Sequence, residues 1–182
     1  MSEPEVEVEG ELAVWARMLL EAHAAAGWNT PHHFVSLLRN AGTGRLRAGT
    51  LTVIDPGVNP EDYPGLMFRA AAAEFEEGTV PYAYALQIES FDTPVLSASA
   101  SAEERTRWEA ARQNRTISQQ DGAVESAWAW VTDVHGRSHG ARQVRKTGEI
   151  EDFSVSISSD MRIGGRMAHA LQACANVARM LM

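Results

Sequence analysis

Alternation of apolar and polar residues along the chain predicts a β-sheet. Residues 81–91 place Tyr82, Tyr84 and Leu86 on one side and small or polar residues on the other, which is the two-residue period of a strand. The same period recurs at 123–134, weaker alternation marks further segments, and 135–138 is typical of a hairpin turn. The predicted strands are 45–54, 81–91, 123–134, 141–146 and 150–158. Since the last four follow one another without a crossover-length helix, we expect an antiparallel meander.

Apolar residues three and four positions apart predict helices around these strands. Thr30 and Pro31 have the residue types of a helix start and predict a short helix from Pro31 through the following apolar run. Ser101 and Glu104 have the spacing of a capping box. The other predicted helices are 11–26, 66–77, 102–113 and 161–182. We therefore predict one α+β domain, in which an antiparallel meander of four to five strands carries helices packed mainly on one face.

Charge divides the chain unevenly. Residues 1–11 contain five glutamates and no basic residue, and repulsion between these charges favours a solvated segment. The sequence therefore predicts an acidic, mobile leader at 1–10 and a single domain at 11–182, with a polar helical insert at about 92–122. The length of 182 residues agrees with one domain.

Composition excludes several classes of protein. With 45% apolar and 22% charged residues, the chain is neither collagen-like, nor disordered throughout, nor a disulfide scaffold. The net charge of -8 argues against a protein that coats nucleic acid. A single cysteine, Cys174, forms no intrachain disulfide and is typical of a reducing compartment. Without a visible export signal or apolar span, we expect a cytoplasmic protein with no membrane partner.

No common catalytic motif occurs in the sequence. Nucleophile elbows, phosphate-binding glycine loops and zinc-protease helices are all absent. Cys174 lies in an alanine-rich helical seam, where a thiol usually acts as a small buried hydrophobe. His32 and His33 would point about 100° apart on the predicted short helix, so they would not serve one site. These features favour a binding or regulatory protein without enzymatic activity or cofactor.

The turn after the 123–134 strand offers a candidate metal site. Asp133, His135 and His139 have side chains that bind zinc, and the predicted hairpin could bring them together. With Glu125 as a general base, this cluster predicts a metal-dependent hydrolase as an alternative function. The spacing is also that of a solvated hairpin tip, so both interpretations remain open.

A basic segment at 134–148 offers a candidate binding surface. It has four positive side chains and no acidic residue, and it lies beside two tryptophans. Such a hairpin could stack bases or enter a DNA groove, which predicts nucleic-acid binding as a second alternative. Arginine and tryptophan are also common anchors of protein interfaces. The candidate residues are Trp128, Trp130, Arg137, Arg142, Arg145 and Lys146.

The segments 81–89 and 123–133, with the polar insert between them, resemble small uncharacterised proteins of actinobacteria and their phages. The resemblance covers about 60 residues and carries no catalytic motif. It implies a phage-borne or host accessory protein that acts by binding. We therefore expect a protein partner or self-association, through the sheet edge or the C-terminal helix.

Overall fold

A computed structural model describes residues 5–55, 57–92, 99–114, 116–154 and 163–182 of the chain. It contains four helices and six strands, with single 3-10 turns at Pro60–Asp62 and Ile117–Gln119. The helices are α1 (Glu5–Ala26), α2 (Tyr63–Glu76), α3 (Ala102–Gln113) and α4 (Ile163–Leu181). The strands are β1 (His32–Arg39), β2 (Leu46–Ile54), β3 (Ala83–Asp92), β4 (Val124–Asp133), β5 (Ser138–Val144) and β6 (Ile150–Ser154).

All six strands form one antiparallel sheet in the order β2-β1-β3-β4-β5-β6. This confirms the predicted α+β class and the run from β3 to β6. The sixth strand is β1, where the sequence predicts a short helix. That prediction is wrong because β1 lies between two neighbours, and most of it is buried on both faces. Its apolar residues are therefore nearly continuous, and such a run does not show the strand period.

Helices cover both faces of the sheet. On one face, which we call the α1 face, Arg17 of α1 bonds to Asp152 of β6, and His23 meets Glu89 of β3. On the opposite face, Glu74 of α2 accepts a hydrogen bond from Ser36 of β1, and α4 packs on α2, β3 and β4. The α1 face is lined by fully buried alanines, which let the helix approach closely. They are Ala83, Ala85, Ala127, Ala129 and Ala141.

The ends of the predicted elements agree with the structure to different degrees. The first helix begins at Glu5, so it overlaps the segment 1–10 for which the sequence predicts a leader. In the polar insert, α3 has the predicted bounds, and the Glu104 amide donates to Ser101 Oγ at 3.0 Å as in a capping box. The last predicted strand continues to residue 158, and its residues 155–158 lie outside the described part of the chain. Within the described residues, no helix has the length and apolar character needed to span a membrane.

Candidate functional site

Asp133 closes the turn between β4 and β5 and is fully buried. Its Oδ1 accepts hydrogen bonds from the backbone amides of His135 at 3.0 Å and Arg137 at 2.9 Å. Its Oδ2 accepts a bond from Arg137 Nε at 2.7 Å, and the Arg137 guanidinium also donates to Tyr82 Oη at 2.9 Å. The carboxylate is therefore saturated by the turn that it stabilises.

The predicted zinc site is not formed, which corrects the prediction for Asp133, His135 and His139. Asp133 is held by Arg137, while His139 Nε2 lies 3.3 Å from Asp152 Oδ1 on the α1 face. His135 is exposed, and its ring packs edge-on against Tyr82 at 5.8 Å. Among the described residues, no three His, Cys, Asp or Glu side chains lie close enough to hold a metal ion. The three residues are therefore used for local structure.

The predicted basic surface is divided between the two faces of the sheet. Arg142 pairs with Trp128 in the β4–β5 register, on the face opposite α1. Arg145 lies on the α1 side, with its guanidinium 5.3 Å from the centroid of the Trp28 ring. It also donates two bonds of 2.7 Å to Glu125. These arginines therefore cannot contact the same partner surface.

The two predicted tryptophans form a packed aromatic cluster. Trp128 and Trp130 stack with ring centroids 5.6 Å apart, and Phe153 meets Trp128 edge-on at 5.5 Å. Arg142 lies over the Trp128 ring and pairs with Asp92 at 3.3 Å. Asp92 also accepts a bond of 3.2 Å from the Trp128 indole. Trp130 is buried and the Arg142 charge is paired, so the cluster has the properties of a structural core.

Gly140 makes this cluster possible, and its replacement gives a prediction. A Cβ at position 140 would lie 2.2 Å from a ring atom of Phe153. We expect Gly140→Ala to lower the free energy of unfolding by about 1–3 kcal/mol, because Phe153 must leave its place against Trp128. Urea unfolding followed by tryptophan fluorescence measures the change. Adding Phe153→Ala to Gly140→Ala should remove most of the extra cost, and a purely additive double variant would contradict the contact.

A polar histidine cluster lies between the C-terminal end of α1 and β3, and the sequence does not predict it. His32 and His33 point to opposite faces because they are adjacent in a strand. His33 Nδ1 lies 3.0 Å from Gln87 Oε1 on the α1 face. His23 of α1 lies with its Nε2 3.3 Å from Glu89 Oε1, and burial lowers its pKa. The pair of His23 with Glu89 ties the end of α1 to the sheet.

His32 is buried on the other face and has two partners. Its Nε2 accepts a bond of 3.0 Å from the Glu89 backbone amide, so the ring carries its proton on Nδ1. That nitrogen lies 2.5 Å from Tyr63 Oη at the start of α2. Burial, followed by the nearby His23 and His33, lowers the pKa of His32 to about 4. His32 is therefore a neutral structural residue near pH 7.

Cys174 is buried in α4, as the sequence predicts. Burial is the main reason that its pKa rises to about 12. A thiol with this pKa carries almost no thiolate near neutral pH, and the thiolate is the reactive form. Cys174 therefore has the character of a packing residue.

The backbone of β1 divides its hydrogen bonds between two neighbours. Leu37 O accepts a bond of 2.8 Å from the amide of Tyr82, just before β3. Asn40 N donates at 2.9 Å to Arg45 O, just before β2. Because successive residues of a strand direct their backbone groups to opposite sides, odd-numbered residues of β1 bond towards β3 and even-numbered residues towards β2.

The register then identifies the backbone groups that point away from β1 in β2, which is an edge strand. Residues of β2 that lie opposite odd-numbered residues of β1 direct their N–H and C=O groups away from the sheet. Leu46 is one of them, and its amide donates to Glu11 of α1 at 2.6 Å. The others are Ala48, Leu51 and Val53. Ala48, Leu51 and Val53 therefore present backbone donors and acceptors at the sheet edge, where Ala48 O accepts a bond of 3.5 Å from the Arg47 side chain.

The side chains of this edge are apolar and exposed. Leu51 is 55% exposed and Val53 is 56% exposed, and both lie on the α1 face. At the start of β2 lies a cleft of about 520 Å³. Val14 and Met18 of α1 and Leu46 of β2 line it beside the charged Glu11, Arg39 and Arg45. A strand with free backbone groups and exposed apolar side chains is suited to pairing with another strand. We call residues 46–55 with this cleft the β2 edge.

The opposite edge of the described sheet is acidic. On β6, Glu151 and Asp152 are charged and exposed. Charge is one of the features by which proteins protect a sheet edge from pairing. The β2 edge is therefore the stronger candidate for a binding surface.

Comparison with known proteins finds no matching protein family, no similar curated protein and no similar solved structure.

Proposed function

We propose that the protein is a binding or regulatory protein without catalytic activity, which acts through protein–protein contact at the β2 edge. The observation that carries this proposal is the outward-directed backbone of Ala48, Leu51 and Val53, together with the exposed side chains of Leu51 and Val53. A strand added to this edge would gain main-chain hydrogen bonds, while the apolar side chains would give it a preferred register. The partner therefore contributes an extended segment.

The charge arrangement favours protein over nucleic acid as the partner. The three arginines of the predicted basic surface each meet a carboxylate: Arg137 meets Asp133, Arg142 meets Asp92 and Arg145 meets Glu125. Binding of phosphates needs unpaired positive charges to replace the counterions of the nucleic acid. Breaking three ion pairs would oppose that binding. The β2 edge requires no such exchange.

Site-specific crosslinking tests the proposal in cells. A benzophenone amino acid at Leu51 would lie on the β2 edge, and the same group at Phe68 of α2, which is 42% exposed, would serve as the matched control. We expect a discrete adduct from position 51 and none from position 68. Val53→Pro, which removes an outward amide without breaking a bond to β1, should abolish the adduct. Equal adducts from positions 51 and 68, or no adduct from position 51, would contradict the proposal.

A further inference from the structure

We infer that the partner segment bound at the β2 edge is acidic, an inference that rests on the function proposed above. The segment adds to β2 as an antiparallel strand. Its apolar residues lie beside Leu51 and Val53, and its carboxylates lie beside Arg45 and Arg47. Because the two strands run in opposite directions, the apolar part of the segment comes first in its chain and the acidic part follows.

Leu51 and Val53 supply the backbone contacts of the added strand. Both lie opposite odd-numbered residues of β1, so their N–H and C=O groups point away from the sheet. Each outward residue of an antiparallel pair exchanges two hydrogen bonds with the residue opposite it, so these two residues give four. The contact does not need the Leu46 amide, which already bonds to Glu11. Antiparallel pairing is favoured because it is slightly more stable per residue than parallel pairing.

The start of β2 is positive and accessible to a carboxylate. Arg45 and Arg47 are both exposed, and the Arg47 guanidinium makes a long hydrogen bond of 3.5 Å to the neighbouring Ala48 carbonyl. Unlike the arginines of the predicted basic surface, neither of them forms an ion pair with a carboxylate in the described part of the chain. The whole chain has a net charge of -8, so this end of β2 is locally positive on an acidic protein. An acidic segment is complementary to it.

The two faces of β2 agree with this order of apolar and acidic residues. Leu51 and Val53 lie on the α1 face, whereas Arg47 lies on the other face. Arg47 and Leu51 pair with Leu38 and Val35 of β1, so three strand positions separate them, although they are four residues apart in the sequence. A partner residue three positions after the one opposite Leu51 therefore lies on the same face as Arg47. A glutamate there can reach the guanidinium.

Charge at this edge also limits which strands can pair with it. Like charges on neighbouring strands repel one another, so a basic segment is excluded. Exposed ion pairs contribute little free energy each. The main-chain bonds and the apolar contacts with Leu51 and Val53 therefore supply most of the affinity, while Arg45 and Arg47 supply selectivity.

Synthetic peptides and the purified full chain test the inference. The first probe is Thr-Val-Thr-Val-Thr-Thr-Glu-Thr-Glu, the second has lysine in place of both glutamates, and the third has the first sequence in reverse order. Each peptide is amidated and carries an amino-terminal fluorophore, and fluorescence anisotropy at low ionic strength measures its dissociation constant. We expect the glutamate peptide to bind about tenfold more tightly than the lysine peptide, because two charge pairs change sign. It should also bind more tightly than the reversed peptide.

Variants of the protein locate the contact. Arg45→Glu together with Arg47→Glu should reverse the preference, so that the lysine peptide binds more tightly. Arg69→Glu on the exposed side of α2 is the matched control and should leave the preference unchanged. Val53→Pro removes an outward amide and should weaken the binding of every peptide. Circular dichroism of each variant separates loss of binding from loss of fold.

Several results would overturn the inference. They are equal binding of the glutamate and lysine peptides, tighter binding of the reversed peptide, no binding of the glutamate peptide, or an equal effect of Arg69→Glu. Displacement of the glutamate peptide by a single-stranded oligothymidylate as efficiently as by the unlabelled peptide would indicate a nucleic-acid surface instead. A stable dimer of the purified chain that excludes the peptide would indicate a second copy instead.

Crosslinking from position 51 in cells tests the proposed function separately. Mass spectrometry of the adduct identifies the crosslinked segment of the partner. A discrete adduct whose segment has no aspartate or glutamate after its apolar residues would overturn the acidic partner and retain the proposed function. No adduct from position 51, with the glutamate peptide still bound selectively, would overturn the proposed function alone.

Discussion

The free energy of unfolding should fall by about 3 kcal/mol between pH 6.5 and pH 4 through His32 alone, since the native pKa is about 4 and the ordinary value is 6.5. Above pH 6.5 the ring is neutral in both states. Between the two values the unfolded chain binds a proton that the folded protein excludes, so stability is lost as the pH falls. The cause is the burial of a ring that accepts the Glu89 amide. His23 has a pKa lowered by burial and adds to the same trend.

The contribution of His32 can be separated from other acid effects by substitution. Glutamine at position 32 retains an acceptor for the Glu89 amide and a donor for Tyr63, and it does not titrate. Chemical unfolding of the unmodified protein and of His32→Gln should be measured from pH 7.5 to pH 4. We expect the stability advantage of histidine over glutamine to decline by about 3 kcal/mol over this range. Parallel pH profiles would show that His32 is not the titrating group.

Removal of the Asp133 carboxylate should be among the most destabilising single changes in the chain. We expect Asp133→Ala to lower the free energy of unfolding by about 3–5 kcal/mol, because it leaves a partly buried Arg137 guanidinium without its counter-charge. Two backbone amides of the β4–β5 turn also lose their acceptor. Urea or thermal unfolding at pH 7 measures the loss.

Two further variants test the reason for that loss. Asp133→Asn retains an oxygen for the turn amides and should cost less than alanine. In Asp133→Ala combined with Arg137→Met, no charge is left unpaired, so the double variant should be more stable than the sum of the single changes predicts. An additive result would mean that Asp133 acts through the turn amides alone. A loss below 1 kcal/mol for Asp133→Ala would contradict the structural role altogether.

Local pattern predicts most of the sheet. Strands β3 to β6 are consecutive strands, and in each of them the residues on one face differ in type from the residues on the other. In β4, Trp128 and Trp130 share a face as the two-residue period requires. Strand β1 is not predictable in this way, since apolar residues occupy both of its faces and leave no two-residue period. The cap-like Thr30 and Pro31 then favour the helical interpretation. The same error assigns His32 and His33 to a helix and conceals that they face different layers.

The candidate site depends on contacts between distant parts of the chain. In the sequence, the arginines near the end of the sheet form a positive patch, because their acidic partners lie elsewhere in the chain. Asp92, the partner of Arg142, is 50 positions away from it. The zinc prediction fails because the Asp133 carboxylate accepts a hydrogen bond from Arg137 of the same turn. Exposure of Leu51 is equally non-local: it follows from β2 being the outermost strand, which no pattern within residues 46–54 reveals.

The extra residue in β2 lets one short strand anchor two different layers of the protein. Leu46 and Ile54 are eight positions apart, so a regular strand would turn both towards the same layer. Both are buried, but Leu46 lies opposite Arg39 and Ile54 opposite His32, which face different layers. The extra residue shifts the alternation of side chains between the two faces by one position in the middle of the strand. Shortening β2 by one residue near Gly49 would force one anchor out into water, so the length of this segment is constrained even where its side chains are not.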